Sequence, residues 1–315
     1  MPLNEEARIL SNDFLAPGLL EASPNRLQFL TVFPFYPIHG DSLTYVCTPE
    51  LAFATPIGFC DDIPEHTKLP GEPRKFPMVE LATHFEVSYK AQDVFCQTND
   101  HYAVQKGLAI RQLLYRFAEQ FEIGDSTVDP NTFDGLRKLV HPDQVIDLAC
   151  APLTLEVMDQ AKGKVRSNNG YGGAIITNQL GYEQIRRAHY DAGLEPDTEV
   201  IAVPDPAGGT RMQQVTKFDG WIVYINDKQP NGICETPSGP EPSTNIWFAQ
   251  LGWNHLHGII PDCVGDSMFV ERRTIRAENS KDVGHITWPV GIALSCDKDS
   301  LSEIENCNNF EMYPP

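Results

Sequence analysis

The chain has 315 residues, with 43 Asp or Glu against 24 Lys or Arg and a formal charge of −19. That length supports one large domain or two ordinary ones, and 41% apolar with 21% charged residues is a soluble globular composition. The acidity argues against a nucleic-acid binder, whose phosphate contacts need clustered Lys and Arg, and no apolar run is long enough to span a bilayer.

The opening "MPLNEEARILSNDF" is acidic and has neither the basic nor the apolar stretch of a secretory signal, so synthesis is expected in the cytosol. Residues 1–40 carry Pro17, Pro24, Pro34 and Pro37 and the run "LQFLTVFPFYPIHG". They read as an extended arm with apolar anchors, not as a packed unit. Residues 41–92 read as two strands around a long excursion. The first is "SLTYVCT". The second, "FPMVELATHFEVSYKA", places Val79, Leu81, Phe85, Val87 and Tyr89 near alternation. Between them "PELAFATPIGFCDDIPEHTKLPGEPRK" is interrupted by Pro49, Pro56, Pro64, Pro70 and Pro73. A span of that length without periodicity is either an active-site lid or a reach towards a neighbour.

"HYAVQKGLAIRQLLYRFAEQFEIG", residues 101–124, predicts one helix of roughly 35 Å. Ala103, Gly107, Ile110, Leu114, Phe117 and Phe121 step by four and three and form its expected seam, and Val104, Leu108, Leu113, Tyr115 and Ala118 widen the apolar surface. Lys106, Arg111, Arg116, Glu119 and Glu122 form its expected polar side. Asn99 or Asp100 can cap the start, and Gly124 can end the helix. Then come a short helix and turn in "DPNTFDGLRKLVHPDQVIDL", a helix in "LTLEVMDQAKGKV", a buried strand "AIITN" and a helix "QLGYEQIRRAHYDAG" closed by Gly193. "FDGWIVYINDKQPNG" is a strand and turn, "STNIWFAQLG" another strand, and "SMFVERRTIRAENSKDVGHITWPVGIALSC" strands around a turn. Residues 141–265 thus form a mixed α/β region.

Catalytic signatures are sparse. No G-x-S-x-G elbow and no P-loop occurs. "NNGYGGA" follows a helix and precedes a strand, the reverse of a phosphate-cradling loop, and reads as a turn. His255 and His257 in "WNHLHG" share one side of a strand and are the best metal-ligand pair, but no local third ligand accompanies them. The eight cysteines contain no C-x-x-C pair and read as reduced thiols by default. No catalytic residue, cofactor or metal is therefore expected.

The order of these stretches resembles the major capsid proteins of tailed bacteriophages, which share the Hong Kong 97-type capsid fold. "TFDGLRKLV" resembles the segment after that fold's spine helix. "LTLEVMDQAKGKV" and "GGAIITNQLGYEQIRRAHYDAG" resemble its helix, strand and following helix. "FDGWIVYINDKQPNG", "STNIWFAQLG", "GIIPD" and "ITWPVGIALSCDKDSLSEIEN" resemble its later strands. The resemblance covers residues 75–315 and is weakest in the arm and loop. No Lys and Asn pair can be assigned to the covalent cross-link of some members.

The resemblance implies an α+β fold with an N-terminal arm (1–40), an extended β-hairpin loop (41–92) and a peripheral domain (93–140 and 266–315) carrying a spine helix (101–124). The mixed α/β axial domain is then 141–265. It implies a non-enzymatic shell protein that assembles with itself, as hexamers and pentamers, into an icosahedral virion capsid in the host cytoplasm. Double-stranded DNA would be enclosed without sequence-specific contacts, and no membrane is involved. A separate scaffolding protein, a portal and a decoration protein are further expected partners. Phe53, Phe59, Arg74, Lys75, Phe76 and Gly107 are the candidate subunit-interface residues. Arg74 and Lys75 would meet a neighbour's carboxylates, and Gly107 would sit under a close contact. Cys47 or Cys60 is a candidate for a disulfide to a neighbouring subunit. The alternatives are an encapsulin-like cargo compartment and a metal-dependent enzyme using His255 and His257.

Overall fold

A computed structural model describes residues 27–47, 71–88, 101–165, 173–205, 209–236, 239–262, 269–276, 281–296 and 298–308. In chain order its first strands are β1 (Phe35–Ile38), β2 (Ser42–Cys47), β3 (Glu72–Pro77) and β4 (Val79–Ser88), followed by α1 (His101–Ile123) and the short α2 (Leu136–Leu139). Next come β5 (Val145–Asp147), α3 (Leu155–Lys164), β6 (Gly173–Thr177), α4 (Gln179–Asp191), β7 (Asp197–Asp205), β8 (Gly209–Phe218) and β9 (Trp221–Ile225). The remainder is β10 (Gly232–Thr236), β11 (Gly239–Gln250), β12 (Leu256–Pro261), β13 (Val270–Arg276), β14 (Lys281–Leu294) and β15 (Leu301–Cys307). The class is α+β and mostly strand, as expected.

Two large sheets share one core. In the first, β14 is central: β4 pairs along one edge, while β13 and then β12 pair along the other, and β1 adds parallel to β12. In the second, the order is β5-β15-β11-β6-β9-β8-β7, with β10 also on β11. Strands alternate their side chains between faces, and β11 shows what this achieves. Ile246 and Phe248 join Met158 and Ile185 of α3 and α4, while Trp247 and Ala249 join Phe117 and Phe121 of α1. The centre of the second sheet, β6 and β11, is therefore buried on both faces. Its near-continuous apolar strands follow from that.

Local chemistry sets the helix ends. Thr154 and Asn178 cap α3 and α4, accepting hydrogen bonds from the backbone N–H of Val157 and Gly181. Gly193, at φ +71°, closes the chain after α4, with Leu194 N–H donating to the His189 carbonyl. Gly124 ends α1 for a different reason. A Cβ there would lie 2.3 Å from the Phe133 carbonyl oxygen, so only glycine admits this close approach.

Several expectations are corrected. The seam of α1 runs through Ala109, Leu113, Phe117, Ala118 and Phe121; Ala103 and Gly107 are exposed, and Ile110 and Leu114 are half-buried. Glu122, assigned to the polar side, is 1% exposed. The helix turns this way because Phe29, Phe33, Phe35 and Trp288 draw Phe117 and Phe121 into one aromatic cluster, with Phe29–Phe121 and Phe117–Trp288 at 4.7 and 4.9 Å. The same cluster makes residues 27–38 a packed part of the subunit, contrary to the reading of an unpacked arm. The expected second hairpin strand is two strands. Glu72–Pro77 pairs with β2, and Val79–Ser88 leaves for β14. Pro77 has no N–H to continue a ladder, and Met78 N–H instead closes the base on the Asp41 carbonyl. Finally, β15 pairs with β11 and β5, so residues 301–307 belong to the second sheet, not with β13 and β14. Asn99 and Asp100 lie outside the described residues.

A candidate subunit interface at the hairpin base

The hairpin of β2 and β3 is a sheet of its own, in register from Ser42↔Pro77 to Cys47↔Glu72. Two strands alone are marginal in water, so its attachment to the body matters. On β2, Leu43, Tyr45 and Cys47 turn inward, while Thr44 and Val46 face out, Val46 at 67% exposure. Phe76 is buried against Ile38, Ile259 and Ala293, which removes it from the set of free interface residues. The Tyr45 hydroxyl donates to the Trp253 carbonyl at 3.1 Å. A disulfide joins Cys47 to Cys296, just past β14, with Cα atoms 5.2 Å apart.

The cysteine expectation is thus corrected. Cys47–Cys296 and Cys150–Cys234 are disulfides, and Cys307 is a buried free thiol pushed up to about 12 by its burial. Cys47 is already bonded within its own chain. Separations of 249 and 84 residues hid both pairings, because spacing carries no information about spatial adjacency. Cys60, Phe53 and Phe59 lie outside the described residues.

Arg74 and Lys75 stand exposed on β3 and line a cleft of about 440 Å³ between the hairpin and the segment 134–142. Phe76, Leu139 and Leu294 form apolar walls, and Lys138, His141 and Lys298 add further basic groups. Lys138 is committed to Asp125 and Asp134, at 2.6 and 2.9 Å, and Lys298 stands 3.7 Å from Asp143. Asp41 has its carboxyl lowered, first by the Ser42 hydroxyl bond and then by the charge of Lys75. Sequence reasoning named Arg74 and Lys75 but not their opposite wall. "LRKLVHP" contains it, though nothing local says that it faces β3.

Gly107 is on an open face, where a Cβ would meet nothing within 4 Å. The expected close contact is absent within the described residues of this chain. His255 and His257 do not converge on a common point. His255 Nδ1 lies 2.8 Å from the Ser300 hydroxyl, and His257 Nδ1 lies 3.2 Å from the His255 carbonyl. The His257 ring is fully buried, stacked on Trp253 with Tyr36 and Tyr45 at its edges, and burial lowers its pKa. Among the described residues no group of three His, Cys, Asp or Glu side chains could hold a metal ion. Likewise, among them no helix is long and apolar enough to cross a membrane.

Periodicity also missed a buried acid pair where α1 meets the second sheet. Asn245 of β11 donates to Glu303 of β15 at 2.7 Å and to Glu122 of α1 at 3.4 Å, and Arg137 bonds Glu122 from the solvent side at 3.0 Å. Burial pushes Glu122 up to about 7 against the pull of Arg137. Burial, then the charges of Glu305 and Glu122, pushes Glu303 up to about 8.

By its own geometry, this is an α+β protein with a long helix across one sheet, a second sheet behind it and a separate two-stranded hairpin. No protein-family model and no curated protein matches the sequence. Solved structures do match. The capsid of a native GTA particle aligns over 89% of this chain and 90% of its own, with TM-score 0.63 and 12% identity. The capsid of an empty GTA particle aligns over 91% and 92%, with TM-score 0.66 and 12% identity. A structure from Mycobacterium phage Adephagia aligns over 99% and 98%, with TM-score 0.61 and 11% identity. The chain has the fold of the tailed-phage major capsid proteins, the Hong Kong 97 type.

Proposed function

We propose that this chain is a major capsid protein, which assembles through hexamers and pentamers into an icosahedral shell enclosing double-stranded DNA. The observation that carries the reading is the likeness in fold, over about nine-tenths of the chain, to two GTA capsids. Those capsids were computed with C5 symmetry, which fits a pentameric vertex. Its role is structural and not enzymatic. The arm lies within residues 1–40, with 27–38 packed on the body, and the extended loop is 41–77, with β2 and β3 as its base. Helix α1 is the spine of a peripheral domain built on β4, β13 and β14. The axial domain lies within 141–265; strand pairing adds β15 to it and gives β12 to the sheet of β14. A hairpin without a core of its own gains order when its outer face is covered by a neighbour. The charge of −19 fits an enclosed DNA that is not gripped by sequence. Assembly takes place in the host cytoplasm and the product is the virion shell. Scaffold, portal and decoration proteins are separate partners.

Electron microscopy of the purified chain tests this. Closed shells tens of nanometres across are the expected result. A small particle at every concentration, in both redox states, would sink the reading. Nuclease-protected DNA in shells purified from infected cells separates a capsid from an encapsulin-like compartment, which would hold protein cargo instead.

A further inference from the structure

We propose that the cleft between β3 and the segment 134–142 receives a carboxylate-bearing surface of a second copy of this chain. The proposal rests on the shell reading and names a docking point within it. The charges in the cleft are unequal in availability. Lys138 is held between Asp125 and Asp134, and Lys298 lies within reach of Asp143. Asp41 attends Lys75 from a fully exposed position. Arg74 forms no ion pair among the described residues. Its planar guanidinium matches a carboxylate in two parallel hydrogen bonds, which a Lys cannot do. Lys75 beside it supplies a second positive charge. The apolar walls from Phe76, Leu139 and Leu294 limit water on one side of that pair. An ion pair formed there is screened less than one on an open surface.

Charge points to a second copy as the occupant. With 43 acidic and 24 basic residues, every copy presents an excess of carboxylates and few cations to meet them. A nucleic acid would be repelled by the same excess at longer range. Closed symmetry presents the same patch of a neighbour to every copy, so one matched carboxylate is repeated around the shell. The contact lies beside the attached base of the hairpin. It would therefore fix the register of a neighbour against a rigid part of the subunit.

The test is the Arg74→Glu/Lys75→Glu double variant. Both side chains are exposed, so circular dichroism and melting of the disassembled chain should match the wild type. The critical concentration for shell assembly should rise by about tenfold at low salt, and the ratio of variant to wild type should shrink as salt is added. A cryo-electron-microscopy map of the wild-type shell should place a neighbour's Asp or Glu against Arg74. A folded variant that assembles at the wild-type concentration would overturn the proposal. So would a map with the cleft open to solvent or filled by nucleic acid. Should the double Glu variant fail to fold, Arg74→Gln/Lys75→Gln and the map decide. Absence of wild-type shells overturns the shell reading itself, an outcome separate from shells with an empty cleft.

Discussion

Replacing Glu303 by Gln isolates the buried acid pair that joins α1 to the second sheet. Glu303 is 4% exposed and its carboxyl is pushed up to about 8, from an ordinary 4.5. The folded state therefore holds the proton more tightly than the unfolded chain. The stability this group contributes is intact below pH 4.5 and is lost as pH rises through 8. The loss through Glu303 is therefore on the order of a few kcal/mol at neutral pH and grows until pH passes 8. Gln keeps the acceptor oxygen for Asn245 and cannot ionise. The variant should thus be more stable than the wild type at neutral pH. Its advantage should widen between pH 7 and pH 9, as the wild-type carboxyl is forced to ionise. Urea midpoints of the disassembled, oxidised chain at pH 5, 7 and 9 measure this, with Glu122 and Glu305 included in the difference because their charges act on Glu303. Parallel pH profiles, or an advantage that narrows as pH rises, would show that Glu303 is not held protonated by its burial.

Reducing the Cys47–Cys296 bond releases a constraint across 249 residues, worth up to about 5 kcal/mol in the chain-entropy picture. Cys47→Ser/Cys296→Ser should lower the melting temperature, and adding a reductant should then cause a smaller further drop than in the wild type. Gly107→Ala adds a methyl into open space in mid-helix and should stabilise the isolated chain by about 0.5–1 kcal/mol. A loss of stability there would show that the face is covered within the chain. Phe117→Ala empties the centre of the aromatic cluster and should cost about 3–5 kcal/mol in denaturant unfolding. A cost below 1 kcal/mol would mean that α1 does not dock as described.

The sequence pattern located α1, α3, α4, β6 and β11 because each is announced within a few residues. An Asn or Thr cap, a Gly stop, a step of three and four or a run of β-branched residues is local information. The pattern also raised Arg74 and Lys75 as cations in an acidic chain. It misplaced the seam of α1 because the residues that select its inward face lie far along the chain, in residues 29–35 and at Trp288. Leu113 lies on that chosen face and is 3% exposed, whereas Leu114 is only half-buried. Glu122 looked like surface for the same reason. Its partners, Asn245 and Glu303, are more than a hundred residues away.

What the sequence determined by itself was the α+β class, the long helix, the excess of negative charge and an order of elements resembling one capsid fold. Tertiary structure alone decided which strands meet. It gave β4 to β14, across about 200 residues, and β3 to β2. It closed Cys47 on Cys296 and placed the 134–142 segment opposite Arg74. Helical capping and periodicity act within one or two turns of chain and leave a local trace. Strand pairing, thiol pairing and cleft walls depend on which distant surfaces bury the most apolar area together, and that is settled only when the whole core packs.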